Sequence, residues 1–317
     1  MFKKINFSTD ISKAKAEKIM HKAPRKVLKI FLYVLLVDLV YTFLYPFLYM
    51  LVTSIKSPDD ILDITVNWLP NSIHIKNYSL SWEILNYLSS FFNSFIVTFL
   101  ATVGHVFSCA YVGYGFARFK FRGKGFAFTL LLLSIIIPIQ TIIIPRYLMW
   151  GSIGLSTSRV PLWLPTFFGY GLQGGLFIFI FRQFFLSLPK SLEEAASIDG
   201  CGPLGTFFRI AFPSSRSSLM VVLVLSIVWH WNDYYEPSIY IINQEDYLLP
   251  MMLPDLYRLM SGAVDLSADA GSGIANIFTE GVAMAATTLT VLPIFIVYMF
   301  LQKKFVQGVE KSGITGE

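Results

Sequence analysis

Four charged side chains, Glu193, Glu194, Asp199 and Arg209, fall together in the stretch "SLPKSLEEAASIDGCGPLGTFFRIAFPSSR", with long apolar runs on either side. Such residues are the material of acid–base or metal chemistry, yet no H-E-x-x-H, paired acid–base or nucleophile–base set appears in the chain. His105 and Cys109 stand four apart and could share a helix face as metal ligands do, but His21, His74 and His230 are scattered and no further cysteine is near. The fragment "RGKGF" at 122–126 lacks the spacing and the hydroxyl of a phosphate-binding loop. No catalytic residue, metal or cofactor is therefore expected, and the chain is not read as an enzyme. Two other features invite a functional reading. Asp38 lies between Val37 and Leu39 inside an apolar run, facing a polar pathway or hydrogen-bonding to another helix such as that bearing Gln173. "WHWNDYYEP" holds Trp231, Asn232 and Asp233, aromatics and amides of the kind that meet sugar rings, or equally the anchors of a membrane interface.

The elements that must position these residues are membrane spans. The chain of 317 residues is 55% hydrophobic and only 14% charged, with a mean hydropathy of +0.60, outside the range of soluble domains. Runs long enough to span, about 20 residues each, occur at 27–52, 91–116, 126–149, 160–181, 217–242 and 281–301. Twenty of the 25 Lys and Arg fall in the N-terminal tail, the 118–124 loop, the 182–216 island and the C-terminal tail, which places both termini and the island in the cytoplasm. The expected organisation is a basic tail (1–26), a six-helix domain (27–301) and a cytoplasmic C-terminal tail (302–317) of an all-α, multi-pass protein of the cell membrane.

The net charge of +5 sits beside spans, where it sets topology and meets anionic lipid, so no nucleic-acid partner is expected. The first run is too long for a signal peptide and lacks a cleavage site. Cys109 lies in a span and Cys201 in the island, so no disulfide is expected. The fourth run carries Pro161, Pro165 and a G-x-x-x-G from Gly171 to Gly175, reading as a kinked, closely packed helix or as a pathway wall. Residues 53–90 read as an external loop, and the acidic 243–280 segment (Glu245, Asp246, Asp255, Asp265, Asp269, Glu280) as a solvated loop or a docking surface.

The island itself belongs in water, because each Asp at mid-bilayer costs about 2.5 to 3.5 kcal/mol on insertion scales. Ser191 and Glu194 have capping-box spacing, and Gly200 supplies a C-terminal stop, predicting a helix over 192–199. A second helical piece over 204–212 is predicted to end at Pro213. Leu192, Ala195, Ala196 and Asp199 share one nearly smooth face. That face packs in a groove of another protein or on the chain's own spans.

The segment "EEAASIDGCGPLGTFFRIAFP" resembles the EAA motif of ABC importer permeases, with Glu194, Ala195, Ala196, Asp199, Gly200, Ile210 and Pro213 at the family spacing. "VTSIKSPDDI", "FFNSFIVTFLATV", "AYVGYGFARFKFRGK", "IFRQFFLSLPKSLEEAA" and "VWHWNDYYEPSIY" extend the likeness to the carbohydrate-importer branch, the maltose-permease G-type subunits. The tail matches at Gln302, Phe305, Val306 and Gly308 but departs from the family's usual "GAVKG" ending. The resemblance implies a type I importer transmembrane domain whose EAA loop is the coupling helix seated in a cytoplasmic ATPase. It implies four kinds of partner: a second, non-identical permease, two ABC ATPase subunits, an external solute-binding protein and membrane lipid. The expected cargo is an oligosaccharide or sugar derivative, with a non-sugar solute as the alternative. An ion-coupled secondary transporter is disfavoured by the single buried Asp and the lack of a repeat.

Overall fold

The computed structural model describes residues 7–66, 68–267 and 279–314, all helix, turn and loop. The acidic Asp269 and the tail end beyond Ile314 lie outside the described residues, as do the side chains of Asp265 and of the basic N-terminal Lys3 to Arg25. The helices of eight or more residues are α1 (Phe7–Thr53), α3 (Lys76–Ile84), α4 (Tyr87–Arg118), α5 (Lys124–Ile136), α6 (Ile143–Ser152), α8 (Gly174–Ser187), α9 (Lys190–Ile198), α12 (Arg216–Asn232), α14 (Leu249–Ser267) and α15 (Glu280–Ile314). Short ones fill the breaks: α2 (Pro58–Leu62), α7 (Val160–Trp163), α10 (Pro203–Thr206), α11 (Phe212–Ser214) and α13 (Tyr235–Tyr240).

Stretches of α1, α4 and α15 are long and apolar enough to cross a bilayer unaided. The third, fourth and fifth apolar runs do not form the uninterrupted helices that their composition suggests. Pro138 stops the third, since a residue before proline is driven from helical to extended backbone, and Ile137 has ψ 119°. The resulting α5 has 13 residues, about 20 Å of helix against a hydrocarbon core of about 30 Å. The fourth run breaks at Gly169 and Gly171, both with positive φ. The fifth breaks after Asn232, where the Asp233 carboxylate accepts from the Tyr235 and Glu236 amides at 3.1 and 3.4 Å and starts α13. Two further joints are sharp: α8 meets α9 at 76°, and the Pro203–Ser214 segment meets α12 at 77°.

α4 is the hub, packed against α8 and α12, while α12 also packs on α15. In a membrane no hydrophobic drive separates helix from lipid, so close approach and interhelical hydrogen bonds must hold the bundle. Both are present. A Cβ on Gly113 would fall 2.8 Å from Phe181 Cβ and 3.0 Å from the backbone of α8. Ser108 Oγ donates to Thr166 O at 2.6 Å, Ser226 Oγ to Thr102 Oγ1 at 3.1 Å, and Trp231 Nε1 to Thr290 O at 3.1 Å. Behind Gly113, Tyr114, Phe181, Phe185 and Phe207 form one buried cluster.

The 53–90 segment is more ordered than a loop reading implies. Ser57 caps α2 by accepting from Asp60 N, and the Asp60 carboxylate holds Asn71 through its side chain at 2.8 Å and its amide at 3.2 Å. Asn77 donates to Ser54 O and Lys56 O, and Ser81 to Val282 O, fastening the segment to α15. Desolvation alone would raise the Asp60 pKa, but the Asn71 and Ser57 hydrogen bonds outweigh it and hold the carboxyl below its ordinary value.

Two expectations follow from these contacts. Gly113→Ala should destabilise the bundle by about 1–3 kcal/mol, read as a lower Tm in detergent. Gly115→Ala, whose Cβ meets nothing within 4 Å, should leave Tm equal or higher, since alanine suits a helix interior better than glycine, and an equal fall in the two would refute the close-approach account. A depressed folded pKa contributes stability that is present above the unfolded value and lost as pH falls through the folded one. Acidification below about pH 4 should therefore loosen the 57–77 segment, detected as faster proteolysis there, and Asp60→Ala should do so at neutral pH.

Candidate functional site

The polar island is built around α9. Its N-terminal cap is Pro189, with ψ 131° and no side-chain hydrogen bond. Ser191 lies inside the helix, so the capping box expected of Ser191 and Glu194 does not form; the proline already sets the turn into α9, two residues earlier than that box requires. The far end is as expected. Gly200, at φ +81°, donates to Ser197 O at 3.1 Å and Cys201 N donates to Ala196 O at 2.8 Å, the paired bonds of a left-handed glycine cap.

After the "GCGP" turn, the chain runs as α10, then a π turn over Phe207–Ala211, then α11. Pro213 does not end the second piece. It sits in the first turn of α11, where its missing amide is tolerated, and the sharp bend follows at Ser215. The π turn drives Phe207 into the aromatic cluster, against Tyr111, Tyr114 and Phe212 with ring centroids 5.3 to 5.7 Å apart.

The smooth face expected of Leu192, Ala195, Ala196 and Asp199 is divided. Ala196 is buried at 3% exposure, whereas Leu192, Ala195 and Asp199 are exposed. What turns the helix this way is Glu193, whose Oε1 lies 2.8 Å from Arg118 Nε at the end of α4. Arg118 Nη2 also donates to Leu188 O, so one guanidinium ties α4 to both sides of the α8–α9 joint. Glu194, Ala195, Ile198, Asp199 and Gly200 are left facing outward, Ile198 at 86% exposure. Ile210 is half-buried and Pro213 exposed, on the neighbouring π turn and α11. The sequence marks Arg118 only as a topology charge and Glu193 only as one of the island's charges, with no partner for either; the signal available is a basic residue ending one span and an acid opening the island.

The other singled-out residues do not gather into one place. Trp231 is buried, donating to Thr290 O and meeting Phe91 edge to face at 5.8 Å, so it ties α12 to α15 and α4. Asn232 is exposed and donates back to Val228 O, and Asp233 caps α13. Asp38 lies on the exposed stretch of α1, which packs on α15, whereas Gln173 begins α8, which packs on α4 and α5. The Asp38–Gln173 hydrogen bond is thus not formed. Cys109 Sγ donates to Gly174 O at 3.6 Å, and His105 meets Phe177 edge to face and His230 at a tilt, with ring centroids 5.0 and 5.1 Å away. No group of three or more metal-ligating side chains occurs among the described residues.

A buried ion pair that sequence reading did not foresee joins the broken third and fifth runs. Arg146 Nη2 of α6 lies 3.1 Å from Glu236 Oε2 of α13, and the side chains are only 8% and 5% exposed. Beside it, a cavity of about 610 Å3 opens between α5, α6, α8 and the Gly169–Gly175 bend, with Gln140, Tyr170 and Gln173 on its walls.

Comparison with known proteins gives these features a context. Residues 84–311 match the family described as binding-protein-dependent transport system inner membrane component. The chain is 33% identical to the probable ABC transporter permease protein YurM of Bacillus subtilis, over 90% of this chain and 87% of that one. It is 26% identical to the arabinooligosaccharides transport system permease protein AraQ of Bacillus subtilis, over 84% and 89%. It is 28% identical to the diacetylchitobiose uptake system permease protein NgcG of Streptomyces coelicolor, over 83% and 81%. The fold is shared with a bacterial ABC transporter involved in the import of the acidic polysaccharide alginate, with TM-score 0.73, 24% identity and coverage of 88% of this chain and 97% of that one. The chain belongs to the family of inner membrane components of binding-protein-dependent transport systems.

Proposed function

We propose that this chain is the permease subunit of an ATP-driven importer, moves a carbohydrate delivered by an external binding protein, and is coupled to a cytoplasmic ATPase through α9. The observation that carries the coupling role is the division of α9, clamped inward by Glu193 on Arg118 and bare outward along Glu194, Ala195 and Ile198. A nine-residue helix is marginal alone in water, so its outward face needs a partner. Glu194 supplies a charge at that face, Ala195 permits close approach, Ala196 packs inward, and Asp199 with Gly200 ends the helix. Ile210 and Pro213 shape the return into α12.

In this reading six crossings, three of them broken, put both termini and α9 in the cytoplasm. The chain pairs with a second, non-identical permease above two ATPase subunits. ATP-driven closure moves α9, and the Arg118 clamp passes the displacement into α4, the helix on which α8 and α12 rest. The equilibrium between inward-open and outward-open states shifts only by the difference in ATP affinity between them. The relatives named for arabinooligosaccharide and diacetylchitobiose support a sugar as cargo.

Glu193→Gln and Arg118→Met should each leave the protein inserted, with basal ATP hydrolysis retained, and reduce solute-stimulated transport about tenfold, within the usual range of coupling energies. Gly200→Val should act similarly, because its φ of +81° suits glycine and not a branched side chain. Normal coupling in all three would remove α9 from the drive train. Topology is checked separately in a protein freed of Cys109 and Cys201. An impermeant maleimide should label Leu62→Cys in intact cells and Ile198→Cys only after permeabilisation, and labelling of Ile198→Cys from outside would overturn the orientation.

A further inference from the structure

Two large hollows lie in the described structure. One, about 680 Å3 between α4, α12 and α15, is walled almost wholly by carbon from residues such as Phe91, Phe95 and Val297, and gives a polar solute little to bond. The other is the cavity of about 610 Å3 beside Arg146, within the size range of small-molecule sites.

Three observations at that second cavity converge. Its walls include the two interrupted backbone stretches, around Pro138 and across Gly169–Gln173, inside apolar runs. Non-helical backbone is tolerated in such a setting where it lines a polar cavity or is covered by protein. Gln173 then stands at φ +61°, in the left-handed region that a long side chain seldom adopts. Glycine would take that conformation freely, and glycines already occupy 169, 171, 174 and 175. The glutamine held there is exposed and on the cavity wall, which leaves its amide free to meet a ligand. Finally, Arg146 and Glu236 are 7% and 4% exposed and both line the cavity. Their contact is not an aligned hydrogen bond, and Arg146 Nη1 and Glu236 Oε1 have no hydrogen-bond partner within the protein. Buried polar groups of this kind require one.

We propose that this cavity is a contact site for cargo in transit and takes an uncharged, hydroxyl-rich ring, with the Gln173 amide and the Arg146–Glu236 pair supplying hydrogen bonds. The inference rests on the carbohydrate reading above and adds the charge class and the residues. Arg146 is matched by Glu236, and Asp233 borders the same pair in an adjoining crevice, so no uncompensated positive charge awaits an anion. The Tyr170 ring, 5.5 Å from the Arg146 guanidinium carbon, offers an apolar surface beside these groups.

The test uses the assembled transporter with its second permease, ATPase and binding protein in proteoliposomes. Uptake of diacetylchitobiose and short arabinooligosaccharides is measured beside that of glycerol-3-phosphate. The expected result is transport of a neutral probe, and a loss of about fivefold in Gln173→Gly, the effect of one hydrogen bond. In that variant Tm is equal or higher, and ATP hydrolysis stimulated by the loaded binding protein persists. A second variant, Glu236→Gln, should raise the uptake of glycerol-3-phosphate relative to the neutral probes. Wild-type uptake by Gln173→Gly would overturn the site, and so would a fall in its Tm, since the glutamine would then serve packing. Transport of glycerol-3-phosphate alone would overturn the charge class. Transport of none of the probes would bring down the carbohydrate reading and the inference with it.

Discussion

The backbone of α4 approaches α8 at Gly113 so closely that a methyl group there would meet Phe181 Cβ at 2.8 Å. Surrounded by lipid, the two helices gain nothing by hiding carbon from water, and their association depends on this contact and on a few hydrogen bonds between spans. Everything that follows α8 in space inherits its placement. The α8–α9 joint is fixed by Arg118, five residues beyond Gly113 on the same helix, and Phe207 is received by the aromatic cluster just behind. A displacement of α9 therefore meets a rigid path into the bundle, while the exposed α1 lies apart from that path against α15.

Much of this was legible in the amino-acid sequence because the bilayer imposes simple rules. Long apolar runs locate the helices. The left-handed stop at Gly200 was readable for the same reason: few residues adopt that backbone. Composition hid the breaks at Pro138 and Asp233, each inside a run whose hydropathy carries straight on, whereas the prolines and glycines of the fourth run announced a bend. The capping box failed because spacing at Ser191 and Glu194 could not reveal that Pro189 had already opened the helix. The division of α9 was hidden for a different reason. Which side of a helix faces in is decided by a partner 75 residues away in the chain, Arg118, and pairwise spacing within the island carries no information about it.

The buried charges illustrate the same limit. Asp38 drew notice because it interrupts an apolar run, yet it ends on the exposed side of α1. Arg146 and Glu236 drew none, because each sits near the end of a run where a charge is ordinary, and only folding brings them to 3.1 Å. A desolvated ion pair is weak evidence of stability, because the loss of hydration offsets much of the attraction. Joining two broken helices, it does fix their relative position, and any change in one half-helix must be shared by the other.

The π turn at Phe207–Ala211 has a consequence for how such chains can vary. A turn closed by i→i+5 bonds contains one residue more than the α-helical turn it replaces. Restoring ordinary winding there would rotate everything on one side by about 100° and move it by about 1.5 Å relative to the other. Phe207 would leave the aromatic cluster, and α9 would turn its clamped side away from Arg118. The extra residue thus acts as a spacer that sets the phase of the α9–α11 segment independently of α12. Lengthening or shortening the spans on either side can be absorbed at this one place, so that divergence in the membrane need not disturb the angle at which α9 stands to the bundle.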